Sequence, residues 1–156
     1  MRPIGSVAII GAGNMGSGIA QKSAQEQFDV QMVDREEQWV ERGQSIIANF
    51  LDEAIERRIF RENEAEEIKA RITGVVGTEN VANDTDLVIE AVFEDFDIKT
   101  EVFTTLDKVC DHHTILASNT SSLSVNALAE ATGRPDRFVG LHFFYHPAKN
   151  RLIEII

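Results

Sequence analysis

His142 and Glu154 lie near the end of the chain, in GLHFFYHPAKNRLIEII (140–156), on either side of a polar loop centred near Ala148. An antiparallel hairpin about that centre pairs residues whose numbers sum to about 296, twice that of Ala148, which sets His142 opposite Glu154. On one face of such a ladder the two Cβ atoms stand ~5 Å apart. A carboxylate placed there accepts the imidazole Nδ1–H, fixes the tautomer that leaves Nε2 as a base, and stabilises the imidazolium that forms when the base takes a proton. A histidine alone in a strand is ordinarily a satisfied structural residue; the opposed acid is what points to general-base chemistry. His146, in the loop, has no such partner in the sequence pattern, and His112 and His113 close a helix whose dipole accounts for them.

The other end of the chain carries a different device. In SVAIIGAGNMGSGIAQ (6–21), glycines at 11, 13, 16 and 18 follow a short apolar run. GAGNMG fits G-x-G-x-x-G between a strand and a helix: Gly11 turns the chain off the strand, Gly13 leaves room for a pyrophosphate against the backbone, and Gly16 lets the helix pack close to the sheet. The N–H groups of the turn and the helix start, through Asn14 and Met15, then hold phosphate with the help of the helix dipole. Asp34 ends the second apolar stretch, 23 positions after Gly11. A carboxylate there accepts hydrogen bonds from the ribose hydroxyls of adenosine and repels a 2′-phosphate, which selects NAD over NADP, although Arg35 beside it is a residue type that serves a 2′-phosphate. A third stretch, SNTSSLS (118–124), follows a strand and precedes a helix. It supplies uncharged donors where strand C-termini face the ligand crevice of an open α/β sheet. A polar turn with serine caps has the same composition.

These residues need elements to place them. Strands are predicted at 6–10, 30–34, 72–76, 86–92, 114–118, 137–142 and 151–156. Helices are predicted at 14–27, from Glu36 to about Ile59, at 62–71, from Asp95 or Asp97 to about Val109, and from Ser122 or Ser124 to Gly133, where a left-handed residue is expected. The inward face of the 95–109 helix is read as Ile98, Val102, Phe103, Leu106 and Val109. Short apolar strands alternating with helices give an α/β fold of the Rossmann type: a doubly wound, mostly parallel sheet covered on both faces, with a helical hairpin inserted after the second strand. Residues 1–156 read as a single domain, and the closing strand RLIEII, with nothing after it, suggests a domain of a longer protein.

Composition narrows the function classes. With 15 Lys and Arg against 26 Asp and Glu the formal charge is −11, so the overall field gives no affinity for nucleic acid or an anionic membrane. Cys110 is the single cysteine and falls in an apparent helix without a histidine partner, which fits a buried thiol in a reducing compartment. No metal-ligand spacing is evident. No apolar run reaches the ~18 residues of a membrane span, and MRPIGSVAII enters a strand at once without room for a signal peptide. A cytoplasmic protein is expected, or a processed one of the mitochondrial matrix.

GAGNMGSGIA, Asp34, IEAVFED (89–95), ASNTSSLS (117–124) and GLHFF (140–144) followed by Glu154 together resemble the N-terminal, NAD-binding domain of L-3-hydroxyacyl-CoA dehydrogenases, over essentially the whole chain. The resemblance implies NAD-dependent oxidation of a 3-hydroxyacyl-CoA to the 3-ketoacyl-CoA, or the reverse. It implies His142 as catalytic base, Glu154 as its orienting partner, and Ser121 as donor to the reacting oxygen. Asp34 matches the ribose-binding acid, and Glu94, Lys99 and Asn119 match residues of the nicotinamide half of the site. The inserted helices resemble an arm that contacts CoA, here carrying Arg57, Arg58 and Arg61, which a solvated helix face would also explain. Two departures stand out: Tyr145-His146-Pro147 replaces Asn-Pro, and the family's helical second domain, with its share of the acyl pocket and its homodimer interface, is missing. The 156 residues are therefore expected to bind NAD with little turnover. A Rossmann dehydrogenase of a free hydroxy acid or sugar acid, and a noncatalytic NAD-binding module, are the alternatives; an oriented base speaks against the second and leaves the first open.

Overall fold

Seven short strands build one sheet: β1 (Ser6–Ile10), β2 (Asp29–Asp34), β3 (Ile72–Val76), β4 (Leu87–Glu90), β5 (Ile115–Ser118), β6 (Phe138–Phe143) and β7 (Ile153–Ile155). The computed structural model describes residues 3–156. Met1 and Arg2, part of the stretch expected to lead directly into the first strand, lie outside the described residues. The strands run in the order β3-β2-β1-β4-β5-β6-β7, parallel up to β6, with β7 antiparallel to it. The chain winds outward from β1 to β3, then returns to the other side of β1 with β4. That reversal between β1 and β4 is where an open sheet of this kind leaves a crevice.

Helices cover both faces, as the strand sequences require. Val7 and Ile9 face α1 (Asn14–Gln25), α2 (Glu37–Glu56) and α3 (Glu62–Ala70), packing with Ile19, Ile47, Leu51 and Ala65. Ala8 and Ile10 point the other way, with Val88 and Leu116, toward Phe103, Leu106 and Leu128 of α4 (Phe96–Val109) and α5 (Val125–Ala129). A strand apolar on both faces is the signature of a parallel sheet buried between helix layers.

Most expected elements appear within a residue or two, and the differences have local causes. The fourth strand stops at Glu90 rather than 92 because the Val92 N–H folds back onto the Glu90 carboxylate at 2.8 Å. Of the two candidate caps for α4 it is Asp95, whose Oδ1 accepts the N–H groups of Asp97 and Ile98, each at 3.0 Å. The inward face of α4 differs from the apolar reading: Ile98 is 42% exposed, and Lys99 is buried instead. Ser124 caps α5 by accepting the Ala127 N–H at 3.2 Å, but the helix ends at Ala129, well short of Gly133. Gly133 is not left-handed; its N–H donates to Asp107 Oδ2 at 2.9 Å, beside Arg134, which holds the same carboxylate at 2.7 Å. The last strand is confined to Ile153–Ile155, and Cys110 sits just past the end of α4, buried, its thiol pushed up to about 11 by that burial. His112 and His113 do not close a helix: α4 ends at Val109, both lie in the turn before β5, and His113 Nε2 lies 3.3 Å from the Asp84 carbonyl. No helix among the described residues is long and apolar enough to cross a membrane.

Candidate active site

Register places four candidate residues, Gly11, Asp34, Asn119 and His142, along one edge. Val33, Ile10, Glu90, Ser118 and Gly140 lie in a single row across β2, β1, β4, β5 and β6. Asp34, Gly11, Asn119 and His142 follow within two residues of that row, at the C-terminal ends of their strands. From β2 to β6 is four strand spacings, roughly 19 Å at the usual separation. The edge is thus long enough for an elongated ligand, with an acid at one end and an imidazole at the other.

At the first end, Gly11 has φ +105°, and a Cβ on Gly16 would lie 1.7 Å from the Gly11 carbonyl oxygen, so both positions need glycine to bring α1 onto the turn. Gly13, by contrast, is open: a Cβ there would meet nothing within 4 Å. No side chain caps α1, and no acid sits in its first turn, where Asn14 and Met15 lie. Unpaired N–H groups and the positive end of the dipole therefore face this opening. Asp34 closes the arrangement. Its Oδ2 accepts the Ala12 N–H at 2.8 Å and its Oδ1 the Arg35 N–H at 2.8 Å, which fixes the carboxylate beside the turn with lone pairs remaining on both oxygens. Arg35 turns to Glu36 at 3.4 Å. Such a constellation fits the pyrophosphate and adenosine ribose of a dinucleotide.

Midway along the edge, Glu94 gathers the serine-rich loop. Its Oε1 accepts from Thr120 Oγ1, from the Ser121 N–H at 3.1 Å and from Ser122 Oγ at 3.0 Å, while Oε2 lies 3.2 Å from Lys99 Nζ. Partial burial would raise this carboxyl, but the Thr120 hydroxyl, the Lys99 ammonium and the Ser122 hydroxyl outweigh it and hold it down to about 2. Lys99 lies beneath the crevice rather than on its surface, and reaches it through Glu94. Ser121 is exposed on the loop. Asn119 ties this loop to the next strand, its Oδ1 accepting the Phe143 N–H at 2.8 Å.

At the far end, β6 and β7 pair with Leu141 opposite Ile155, His142 opposite Glu154 and Phe143 opposite Ile153, the register expected from the loop centre. Glu154 Oε2 lies 3.3 Å from His142 Nδ1. That leaves His142 Nε2 as the free ring nitrogen, one residue from the strand end that Asn119 fixes. His146 has partners the sequence pattern did not reveal: it stacks on Phe50 of α2 with ring centres 4.7 Å apart and accepts the Ala148 N–H at 3.2 Å.

Residues 6–156 match the family model described as 3-hydroxyacyl-CoA dehydrogenase, NAD binding domain. The chain belongs to that family. It is 40% identical over 153 residues to a probable 3-hydroxybutyryl-CoA dehydrogenase of Bacillus subtilis, an alignment covering 98% of this chain and 53% of that protein. It is 39% identical over 156 residues to the mitochondrial hydroxyacyl-coenzyme A dehydrogenase of Sus scrofa, covering 96% of this chain and 49% of the other. Among solved structures, the (S)-3-hydroxybutyryl-CoA dehydrogenase of Ralstonia eutropha superposes with a TM-score of 0.94 at 38% identity, covering 98% of this chain and 54% of that one. The chain spans about half the length of these relatives.

As a 3-hydroxyacyl-CoA dehydrogenase domain, the protein has NAD as its cofactor, and the glycine turn and Asp34 fit that molecule. A second concavity, of about 600 Å³, lies on the α1–α2 side, with Phe50 and Phe60 among its walls. Lys22 and Arg57 line it while paired with Glu26 and Glu53 of their own helices; Lys149 and Arg151 enter from the β6–β7 loop. Arg58 and Arg61 are not among its lining residues, so of the three arginines singled out on the inserted helices only Arg57 reaches it. One member of the crevice went unread in the sequence. Glu90 is wholly buried between Lys99 and Ser118, and its sole signal is an acid closing the apolar run LVIE.

Proposed function

We propose that the domain serves NAD-dependent interconversion of an L-3-hydroxyacyl-CoA and its 3-ketoacyl-CoA, with His142 as general base and Glu154 as its orienting partner. The observation that carries this reading is the His142–Glu154 pair, 3.3 Å apart, at the end of the same crevice that holds the glycine turn. Bound NAD supplies the hydride acceptor. The Nε2 atom of His142 takes the hydroxyl proton, and Glu154 stabilises the imidazolium that results. Negative charge developing on the substrate oxygen is met by that imidazolium and by the Ser121 hydroxyl. Glu94 holds the loop that presents Ser121, and Asn119 steadies both the loop and the strand end beyond His142.

In the groove beside α2, Glu26 and Glu53 offset Lys22 and Arg57, but Lys149, over the Phe50 ring, and Arg151 support a CoA thioester over a free acid, because cations beside an aromatic wall suit a phosphate-bearing nucleotide. Turnover is assigned to a protein of the relatives' full length, in which a further domain completes the acyl pocket and supports a homodimer; the 156 residues bind NAD with little turnover. The test follows NADH oxidation by the full-length protein with acetoacetyl-CoA, with free acetoacetate as control. Oxidation with the thioester alone is expected. Equal rates with both would remove the groove from substrate recognition and favour a dehydrogenase of free hydroxy acids.

Asp34→Ala is expected to weaken NADH binding by about 1.5–3 kcal/mol, the range for a hydrogen bond to a charged group. Trp39 lies five residues further on, in the first turn of α2, and quenching of its fluorescence by NADH provides the titration. An unchanged dissociation constant would take Asp34 out of the site.

A further inference from the structure

Beneath the crevice, Glu90 and Lys99 are 0% and 1% exposed, the most deeply buried ion pair among the described residues. Such a pair is a poor way to gain stability, since desolvation consumes most of the attraction and apolar residues of similar volume often do as well. Its position suggests another use. Glu90 Oε1 lies 2.5 Å from Lys99 Nζ and accepts the Val92 N–H at 2.8 Å, while Oε2 accepts from Ser118 Oγ at 2.7 Å. Ser118 Oγ in turn accepts the Thr120 N–H at 3.2 Å, and Thr120 Oγ1 donates to Glu94 Oε1. Glu94 Oε2 returns to Lys99 Nζ at 3.2 Å. The links close on themselves: Glu90, Ser118, Thr120, Glu94, Lys99, Glu90. The circuit joins the ends of β4 and β5 to the first turn of α4.

We propose that Glu90 is a positioning residue for the nicotinamide half of the cofactor site, acting through this closed circuit of Ser118, Thr120, Glu94 and Lys99 to fix the 120–122 loop. Cutting a link at Glu90 leaves the direct bonds of Glu94 to the loop but removes the supports that hold Lys99 and Thr120 in place around it, so the loop loosens. The proposal rests on the cofactor reading for where the ligand lies, but the circuit itself can be tested without ligand. Hydrogen bonds in such networks support one another, so links in one circuit are not independent.

The experiment compares wild type, Glu90→Gln, Ser118→Ala and the double variant by amide hydrogen exchange and by affinity for NADH and for ADP-ribose, which lacks the nicotinamide. In either single variant the Ser121 and Ser122 amides are expected to exchange about tenfold faster or more, with the amides of β2 unchanged. NADH should bind about tenfold more weakly, the loss of one charge-assisted bond, and ADP-ribose within about twofold of wild type. The double variant should match the worse single variant. Unchanged exchange at 121 and 122, equal losses for the two ligands, or additive losses in the double variant would each overturn the proposal. If Glu90→Gln unfolds the domain, Ser118→Ala, which removes one hydroxyl and no charge, decides by the same criteria. If wild type binds neither ligand, the cofactor reading fails, and the exchange rates still judge the circuit.

Discussion

Replacing His142 with alanine in the full-length protein is expected to lower turnover by about 10²–10⁴-fold, the usual contribution of a positioned general base, while leaving NADH affinity within about twofold. The separation follows from the geometry. His142 stands on β6, at the opposite end of the strand row from Asp34 and three strands from the glycine turn that follows β1, so the proposed base and the proposed adenosine site share no contacts. Its loss also leaves the fold intact: the side chain is partly exposed and its ring contact is with Phe144, two residues along the same chain. Stopped turnover with preserved NADH binding assigns the proton transfer to His142. Near-normal turnover would return His142 to the role of a surface strand residue and leave Glu154 without a function.

That pair was legible because a two-residue period and a loop centre fix an antiparallel register, and the observed partners His142 and Glu154 follow directly. The glycine turn was legible for a similar reason, since its constraints lie within six consecutive residues. What remained hidden depends on contacts between distant strands. An acid at the end of LVIE reads as the end of an apolar run; only the alignment of β4 with β5, which sets Glu90 against Ser118, turns it into a buried anchor. Lys99 was named through the family resemblance, but its burial escaped for the complementary reason. Helical periodicity assigned Ile98 to the interior, but a long lysine stem can be buried when its ammonium finds two carboxylates, and periodicity carries no information about such partners. His146 depended on α2 arriving beside the β6–β7 loop with Phe50 outward, a tertiary event.

The second and third glycines of the turn, Gly13 and Gly16, carry separable demands, and substituting each with alanine is expected to show it. In Gly16→Ala the new methyl would lie 1.7 Å from the Gly11 carbonyl oxygen and 2.8 Å from its carbon. Neither atom belongs to a flexible side chain, so α1 must withdraw from β1 and break the packing of its Ile19 against Val7 and Ile9. Ordinary overpacking costs about 1–3 kcal/mol, and a backbone collision belongs at or above the upper end. For a domain of this size that lowers the melting temperature by roughly 6–12 °C, and NADH binding falls with the fold. Gly13→Ala places its methyl in open space at φ −72° and ψ −169°, a conformation alanine adopts freely. Its cost to the fold is confined to a poorer helix cap, about 1 kcal/mol or less. If the pyrophosphate meets the backbone at this turn, as proposed, the methyl stands in its way, so NADH affinity is expected to drop about tenfold or more while the melting temperature moves by only a few degrees. Thermal melts and NADH titrations of the two variants separate the demands. If Gly13→Ala bound NADH as tightly as the parent, the phosphates would have to lie elsewhere, and the open face at the start of α1 would be left with nothing to hold.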